Sequence, residues 1–182
     1  MPPPAVASQR MDKTTAWLAR QRVRLGFVAA ALALILARPA WGPWRAGLAI
    51  ALVGESMRIW AAGYLEKGSE VTRSGPYRFV RHPLYAGSVL IAFGVVIAAG
   101  SLLVTLIAGL YVGATIGAAV KTEEAFLRSA FGTAYDEYAA SRGEVTQRRF
   151  SVARALRNRE HRAIVGLLGG FALLALKMIA PI

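Results

Sequence analysis

Between Leu84 and Val120 the chain runs for 37 residues without a charged side chain. A soluble core helix does not need this, and a single membrane crossing needs only about 20 apolar residues at ~1.5 Å rise each. The run is therefore long enough for two crossings. Its one turn-like pair near the middle is Gly100-Ser101, which predicts a helical hairpin with spans at about 84–100 and 102–120.

Three further apolar stretches fit the same solvent. Gly26–Ala37, extended to about 23–41, gives a first span, and about 46–64 gives a second. The last lies at about 162–180 and contains Gly166, Gly169 and Gly170, spaced for close helix packing. Glu55 and Arg58 sit three apart in the second span, so they share a helix face and are expected to pair inside a bundle. Trp41 and Trp44 precede that span and suit an interfacial belt. The reading is an all-α integral membrane bundle of five transmembrane helices with cytoplasmic amphipathic helices. Residues 1–22 form a cytoplasmic tail, and 23–182 a single membrane domain.

Composition agrees. Charged residues make up 18% of the 182 residues, against about 25% in soluble domains, and the mean hydropathy is +0.44. The net charge of +12 raises nucleic acid as a partner, but the basic residues flank apolar runs instead of forming one stripe, which excludes that class. The segments before Gly26, from Arg58 to His82 and from Lys121 to Arg162 hold 5, 5 and 9 Lys or Arg, and the opposite side only Arg38, Arg45 and Lys177. The positive-inside rule then places the N-terminus in the cytoplasm and the C-terminus outside, as in a protein of the cytoplasmic membrane. With no cysteine and two histidines, neither a disulfide framework nor a Cys- or His-based metal site is expected. No GxGxxG, GxxxxGK, HExxH or GxSxG motif is present, so a soluble doubly-wound methyltransferase or dehydrogenase is excluded on composition and motif alike.

Two polar segments fall on the cytoplasmic side. In the first, Ser74-Gly75-Pro76 is a turn, and Pro83 disfavours helix at His82 while fitting the first turn of the third span. Tyr77, Arg78, Phe79, Arg81, His82 and Tyr85 gather within nine residues, either as an interfacial aromatic and basic belt or as a binding site. In the second, Glu123-Glu124 leave the fourth span, as a solvated pair or as ligands. Leu127, Phe131, Tyr135 and Tyr138 form one helical stripe, expected to lie along the bilayer. Gly132 interrupts it, and Thr133 with Asp136 fits a capping box. The arginine-dense run 146–159 reads as a helix on anionic headgroups.

The stretch from Gly75 to Gly87, GPYRFVRHPLYAG, resembles the signature of the isoprenylcysteine carboxyl methyltransferase and phospholipid methyltransferase superfamily. So do Glu123-Glu124, Leu127, Phe131-Gly132, Tyr135 and Tyr138 with Val145 beyond, Arg58 with Trp60 to Gly63, and Asn158-Arg159-Glu160. The likeness covers about 50–165. It implies a membrane enzyme using S-adenosyl-L-methionine, with Tyr77, His82, Pro83, Tyr85, Gly87, Glu123 and Glu124 lining the cofactor pocket. Arg58, Arg81, Arg159 and Glu160 would face the cofactor or the acceptor group as catalytic residues.

Elementary chemistry is compatible with that site. The donor's amino group wants a carboxylate, its carboxylate a cation or N–H groups, and its sulfonium an aromatic face. Because His82 lies at the start of one arm of the hairpin and the glutamates at the end of the other, the two are expected to form one site. A carboxylate acceptor needs no base and an amine does. With many cations and only His82 as a base, the expected substrate is a lipophilic carboxylate such as an isoprenylcysteine. The alternatives are the amine of an ethanolamine headgroup, or a non-catalytic protein that binds lipid or a partner.

Overall fold

The computed structural model describes residues 13–140 and 148–180, and the described residues contain seven α-helices and no strand. They are α1 Lys13–Leu36, α2 Trp41–Ala62, α3 Pro83–Ala99, α4 Leu102–Phe131, α5 Thr133–Ala139, α6 Val152–Arg157 and α7 Glu160–Ile179, with a 3-10 turn at Gly75–Arg78. Val145 lies outside the described residues, as do residues 1–12 of the expected tail.

α4 and α7 are long and apolar enough to cross a membrane. Val23–Leu36 of α1 and all of α3 are apolar but shorter, and α2 carries Arg45, Glu55 and Arg58 in its 22 residues. The hairpin turn falls at Gly100, whose φ of 58° closes α3 in the left-handed conformation open to glycine. Its carbonyl neighbour is tied as well, because the Arg38 N–H donates to Ala99 O at 2.7 Å.

α4 does not end where the apolar run ends. It continues as one helix of 30 residues, about 45 Å long at 1.5 Å per residue, so Glu123 and Glu124 ride on a rigid extension of the span. α5 restarts at Gly132, as the sequence predicts. However, Gly132 is its N-cap and no side chain bonds there, so Thr133 and Asp136 do not form the capping box. Nor does the tyrosine stripe lie on the bilayer. Tyr135 is buried, and the Tyr138 hydroxyl donates to Tyr77 O at 2.9 Å, turning the stripe onto the first polar segment.

The core is built where helices touch backbone to backbone. A Cβ on Gly54 would meet Gly87 O at 2.7 Å, and one on Gly87 would meet Gly54 O at 2.6 Å; Gly47 and Gly94 oppose each other in the same way about two turns further out. These contacts bind α2 to α3 along their length. The glycines of α7 behave otherwise: a Cβ on Gly166, Gly169 or Gly170 would meet no heavy atom within 4 Å. Close packing was expected of them and occurs instead between α2 and α3. α7 is held by larger groups, with Trp44 Nε1 donating to Phe171 O at 3.0 Å and Lys177 Nζ to Leu34 O and Ile35 O at 2.9 and 2.7 Å. Trp44 thus packs against α7, while Trp41 keeps an exposed face.

Candidate functional site

The first polar segment is shaped by its turns. Gly75 has φ 59° and lies under the Tyr64 ring, and Pro76 starts the 3-10 turn that buries Tyr77. His82 caps α3 with φ −128°, and Pro83 takes the first helical position, where its missing N–H is no loss. Seventeen residues up α3 and about as many down α4 return the chain to the level of Pro83, which is where the glutamates lie. His82 Nε2 is 3.2 Å from Glu124 Oε1, and Arg81 Nη1 is 3.9 Å from the same oxygen.

A cleft of about 1500 Å³ opens beside these groups. Its polar end is lined by Tyr77, His82, Pro83, Tyr85, Glu123, Arg159 and Glu160, and Arg58 and Arg81 also reach it. Its other end runs between apolar side chains of α1, α3 and α4, among them Ala30, Ile91, Val95 and Ile107. The two adjacent glutamates therefore part company. Glu123 faces the cleft, whereas Glu124 does not line it and turns to His82 and Arg81. Gly87 does not line it either, because it is the contact point of α3 with α2, against Gly54 O and the Arg58 side chain.

Arg58 has a second and closer partner besides the one its spacing predicts. Glu55 is within ion-pair range at 3.6 Å, but the guanidinium fork is taken by Glu160 at 2.9 to 3.2 Å, 102 residues away, and Ser88 accepts from its third nitrogen. Glu160 is aimed inward by the turn before it: Arg159 has φ 65°, a left-handed conformation that few non-glycine residues adopt. The run 148–158 is likewise fastened to protein. Arg154 Nε donates to Glu66 at 2.7 Å, Arg148 pairs with Glu70, and Asn158 Nδ2 donates to Ala62 O and Leu65 O at 2.9 and 3.0 Å, closing the C-terminal end of α2. Phe150 stacks beside Tyr64 and covers Gly63. The headgroup-facing helix expected there shrinks to α6, whose Val152 and Leu156 remain exposed.

Burial sets the protonation of the aromatic residues. Loss of solvent, with Glu123, Tyr138 and Glu160 nearby, pushes the Tyr77 phenol far above its usual range. Burial and the neighbouring Tyr135 push Tyr138 up to about 12, and burial with Glu124 close by raises Tyr135. All three remain hydroxyl donors at physiological pH. The Tyr77 hydroxyl is buried with no hydrogen-bond partner among the described residues, although it lines the cleft. A buried donor is rarely left so. Among the described residues no group of three or more His, Asp or Glu is placed to hold a metal ion.

The pairing of Arg58 with Glu160 and the split between Glu123 and Glu124 are absent from the sequence reading. Only a helical wheel of α4 carried past Val120 would have separated the two glutamates.

Comparison with known proteins follows the same residues. The phospholipid methyltransferase family model matches residues 28–134, which is more than half of the chain, and the chain belongs to that family. With α4 and α7 long enough to span, this is a membrane protein. A cobalt-zinc-cadmium resistance protein of Cupriavidus metallidurans is 38% identical over 95 residues, 51% of this chain and 42% of that protein. A protein-S-isoprenylcysteine O-methyltransferase of Schizosaccharomyces pombe is 31% identical over 97 residues, 53% of this chain and 41% of that protein. The matched region thus spans about two-fifths of each relative's length. No solved structure shows a significant match.

Proposed function

We propose that this protein transfers a methyl group from S-adenosyl-L-methionine to a lipophilic acceptor that enters from the bilayer. In this reading residues 23–182 form one membrane domain, crossed by α1, α2, α3, α4 and α7. The N-terminus is cytoplasmic, the C-terminus is outside, and the membrane is the cytoplasmic one. The observation that carries the reading is the two-ended cleft: apolar walls between helices at one end, and carboxylates, His82 and an unpartnered tyrosine hydroxyl at the other. Family membership and the isoprenylcysteine methyltransferase relative support the reaction class.

The residues present fit the cofactor. When bound, it supplies an electrophilic methyl on a sulfonium. Glu123, facing the cleft, would hold its amino group, and the Tyr77 hydroxyl would donate to an acceptor atom of the same molecule. Tyr85 offers an aromatic face, and Pro83 and His82 line the same cleft. Arg81 and Arg159 stand at the rim, where they would hold a carboxylate. Positioning accounts for much of the rate, since transfer needs donor and acceptor in line at reacting distance.

Two acceptor classes use this site differently. A carboxylate acceptor would be held by the cations. An amine acceptor must lose a proton, and His82 with Glu124 at 3.2 Å behind it is the available sink. The occupation of Arg58 by Glu160 favours the amine, because the most central cation is already engaged. Membranes incubated with methyl-labelled S-adenosyl-L-methionine decide between them: a label released as methanol by mild base is an ester, and a base-stable label is an N-methyl group. No transfer to any lipid extract by protein that binds the cofactor would leave a non-catalytic lipid-binding role.

A further inference from the structure

Glu124 stands behind the cleft, between two side chains that no reading of the cleft itself connects. On one side His82 Nε2 lies 3.2 Å from its Oε1, with Arg81 Nη1 3.9 Å from the same oxygen. On the other is Tyr135 of α5, on whose phenol the Glu124 charge acts more strongly than those of Arg128 and Arg81.

Tyr135 is held from several directions. The Arg73 guanidinium donates to Ala134 O and the Tyr138 hydroxyl to Tyr77 O, so α5 is tied to the first polar segment both before and after Tyr135. The Arg128 guanidinium lies 5.7 Å from the centre of the Tyr135 ring, and the Tyr138 ring 6.2 Å away. At 1% exposure Tyr135 is among the most deeply buried large side chains, yet its hydroxyl makes no hydrogen bond of good geometry among the described residues. Such a hydroxyl is rare in native proteins, and the acceptor beside this one is a carboxylate whose contacts with His82 and Arg81 use only Oε1.

The chemistry of the pair fixes the histidine. An ionised carboxylate only accepts hydrogen bonds, so the proton in the His82–Glu124 bond belongs to Nε2. Arg81, the other group on Oε1, is a donor only and cannot take that proton. Neutral His82 is then the Nε2–H tautomer, with Nδ1 as its one acceptor nitrogen. His82 lines the cleft and Glu124 does not, so Nε2 is engaged away from the cleft and Nδ1 is the nitrogen left for a ligand.

We propose that Tyr135 and Glu124 are positioning residues for His82. The Tyr135 hydroxyl closes on the second oxygen of Glu124, Glu124 holds Nε2–H, and the imidazole presents Nδ1. In the methyl-transfer reading, on which only this use of Nδ1 rests, Nδ1 takes the proton that an amine acceptor loses. That leaves the amine its lone pair and His82 as an imidazolium on Glu124.

The test is proton–nitrogen NMR of the full chain in nanodiscs with isotope-labelled histidine. The chain has two histidines, and His161→Gln, at an exposed position, leaves His82 as the one observed. At alkaline pH, where imidazole is neutral, His82 should show Nε2 protonated and Nδ1 bare, with the Nε2 proton slow to exchange with water. Glu124→Gln should lose both the tautomer preference and the slow proton. Tyr135→Phe removes only a hydroxyl; it should keep the tautomer and exchange the proton several-fold faster. An Nδ1–H tautomer in the His161→Gln protein, or its spectrum unchanged in either folded variant, would overturn the proposal. The spectra need no S-adenosyl-L-methionine, so they decide it whether or not methyl transfer is found. Where transfer is found, Tyr135→Phe should lower kcat several-fold with KM for S-adenosyl-L-methionine nearly unchanged; a raised KM with kcat kept would contradict a role through His82.

Discussion

Two glycine-bearing surfaces of this bundle look alike in sequence and do opposite things. Along the α2–α3 seam, Gly54 and Gly87 lie against each other's carbonyls, so the absent side chains are replaced by backbone of the other helix. Along α7, Gly166 and Gly170 are exposed, with no heavy atom within 4 Å of where a Cβ would stand. A small residue in a membrane helix therefore marks either a contact or a vacancy. What distinguishes them is whether the backbone of a neighbouring helix comes up against the glycine. α3 does so for α2 at both glycine pairs, and nothing does so for α7.

The largest effect expected from this contrast is in the seam. Gly87→Leu forces a side chain into Gly54 O and the Arg58 stem, and should cost about 3 kcal/mol or more in detergent unfolding. Next is the pair that joins the seam to α7. Glu160→Gln leaves Arg58 with Ser88 and, at 3.6 Å, Glu55, and should cost about 2–3 kcal/mol, somewhat below a fully buried pair because Arg58 keeps some solvent. Asn158→Ala frees two carbonyls at the end of α2 and should cost about 1–2 kcal/mol. On the open side, Gly170→Leu should change stability by no more than about 0.5 kcal/mol. A loss there as large as in the seam would show that α7 packs tightly after all.

The smallest effect is one of pH. Its hydrogen bond to Arg154 holds the Glu66 carboxyl below its ordinary value. The stabilisation is present above the unfolded carboxylate pKa and is lost as pH falls through the lower folded value. Glu66→Gln should therefore flatten the acid side of a stability–pH profile and leave the neutral region almost unchanged. An unaltered acid limb would mean that the strap at 148–158 is not held by this contact.

Much of the scaffold can be read in the chain because single residues announce it. A 37-residue uncharged run needs a turn, and Gly100-Ser101 is the place; Pro83 announces a helix start and Gly132 a break. The polar ends could be located on one face from charge alone. What could not be read are relations between distant residues. Nothing local tells Arg58 to choose Glu160, 102 residues on, over Glu55 one turn away. The choice is made by the left-handed turn at Arg159, which aims Glu160 into the bundle. The roles of Glu123 and Glu124 were inseparable for the same reason, since only the unbroken continuation of α4 fixes which of them faces the cleft. The arginine-dense run looked like a headgroup-binding surface because its partners, Glu66 and Glu70, lie about 80 residues earlier.

The central claim is that the polar end of the large cleft binds S-adenosyl-L-methionine, and calorimetric titration of the purified protein tests it most directly. Wild type should bind. Glu123→Gln and His82→Ala should each weaken binding ten- to a hundred-fold, the loss of one charge-assisted contact at roughly 1.5–3 kcal/mol. Glu124→Gln, one step removed, should weaken it less than Glu123→Gln does. A wild-type protein that binds no S-adenosyl-L-methionine in detergent or nanodiscs, while folded and monodisperse, would contradict the account.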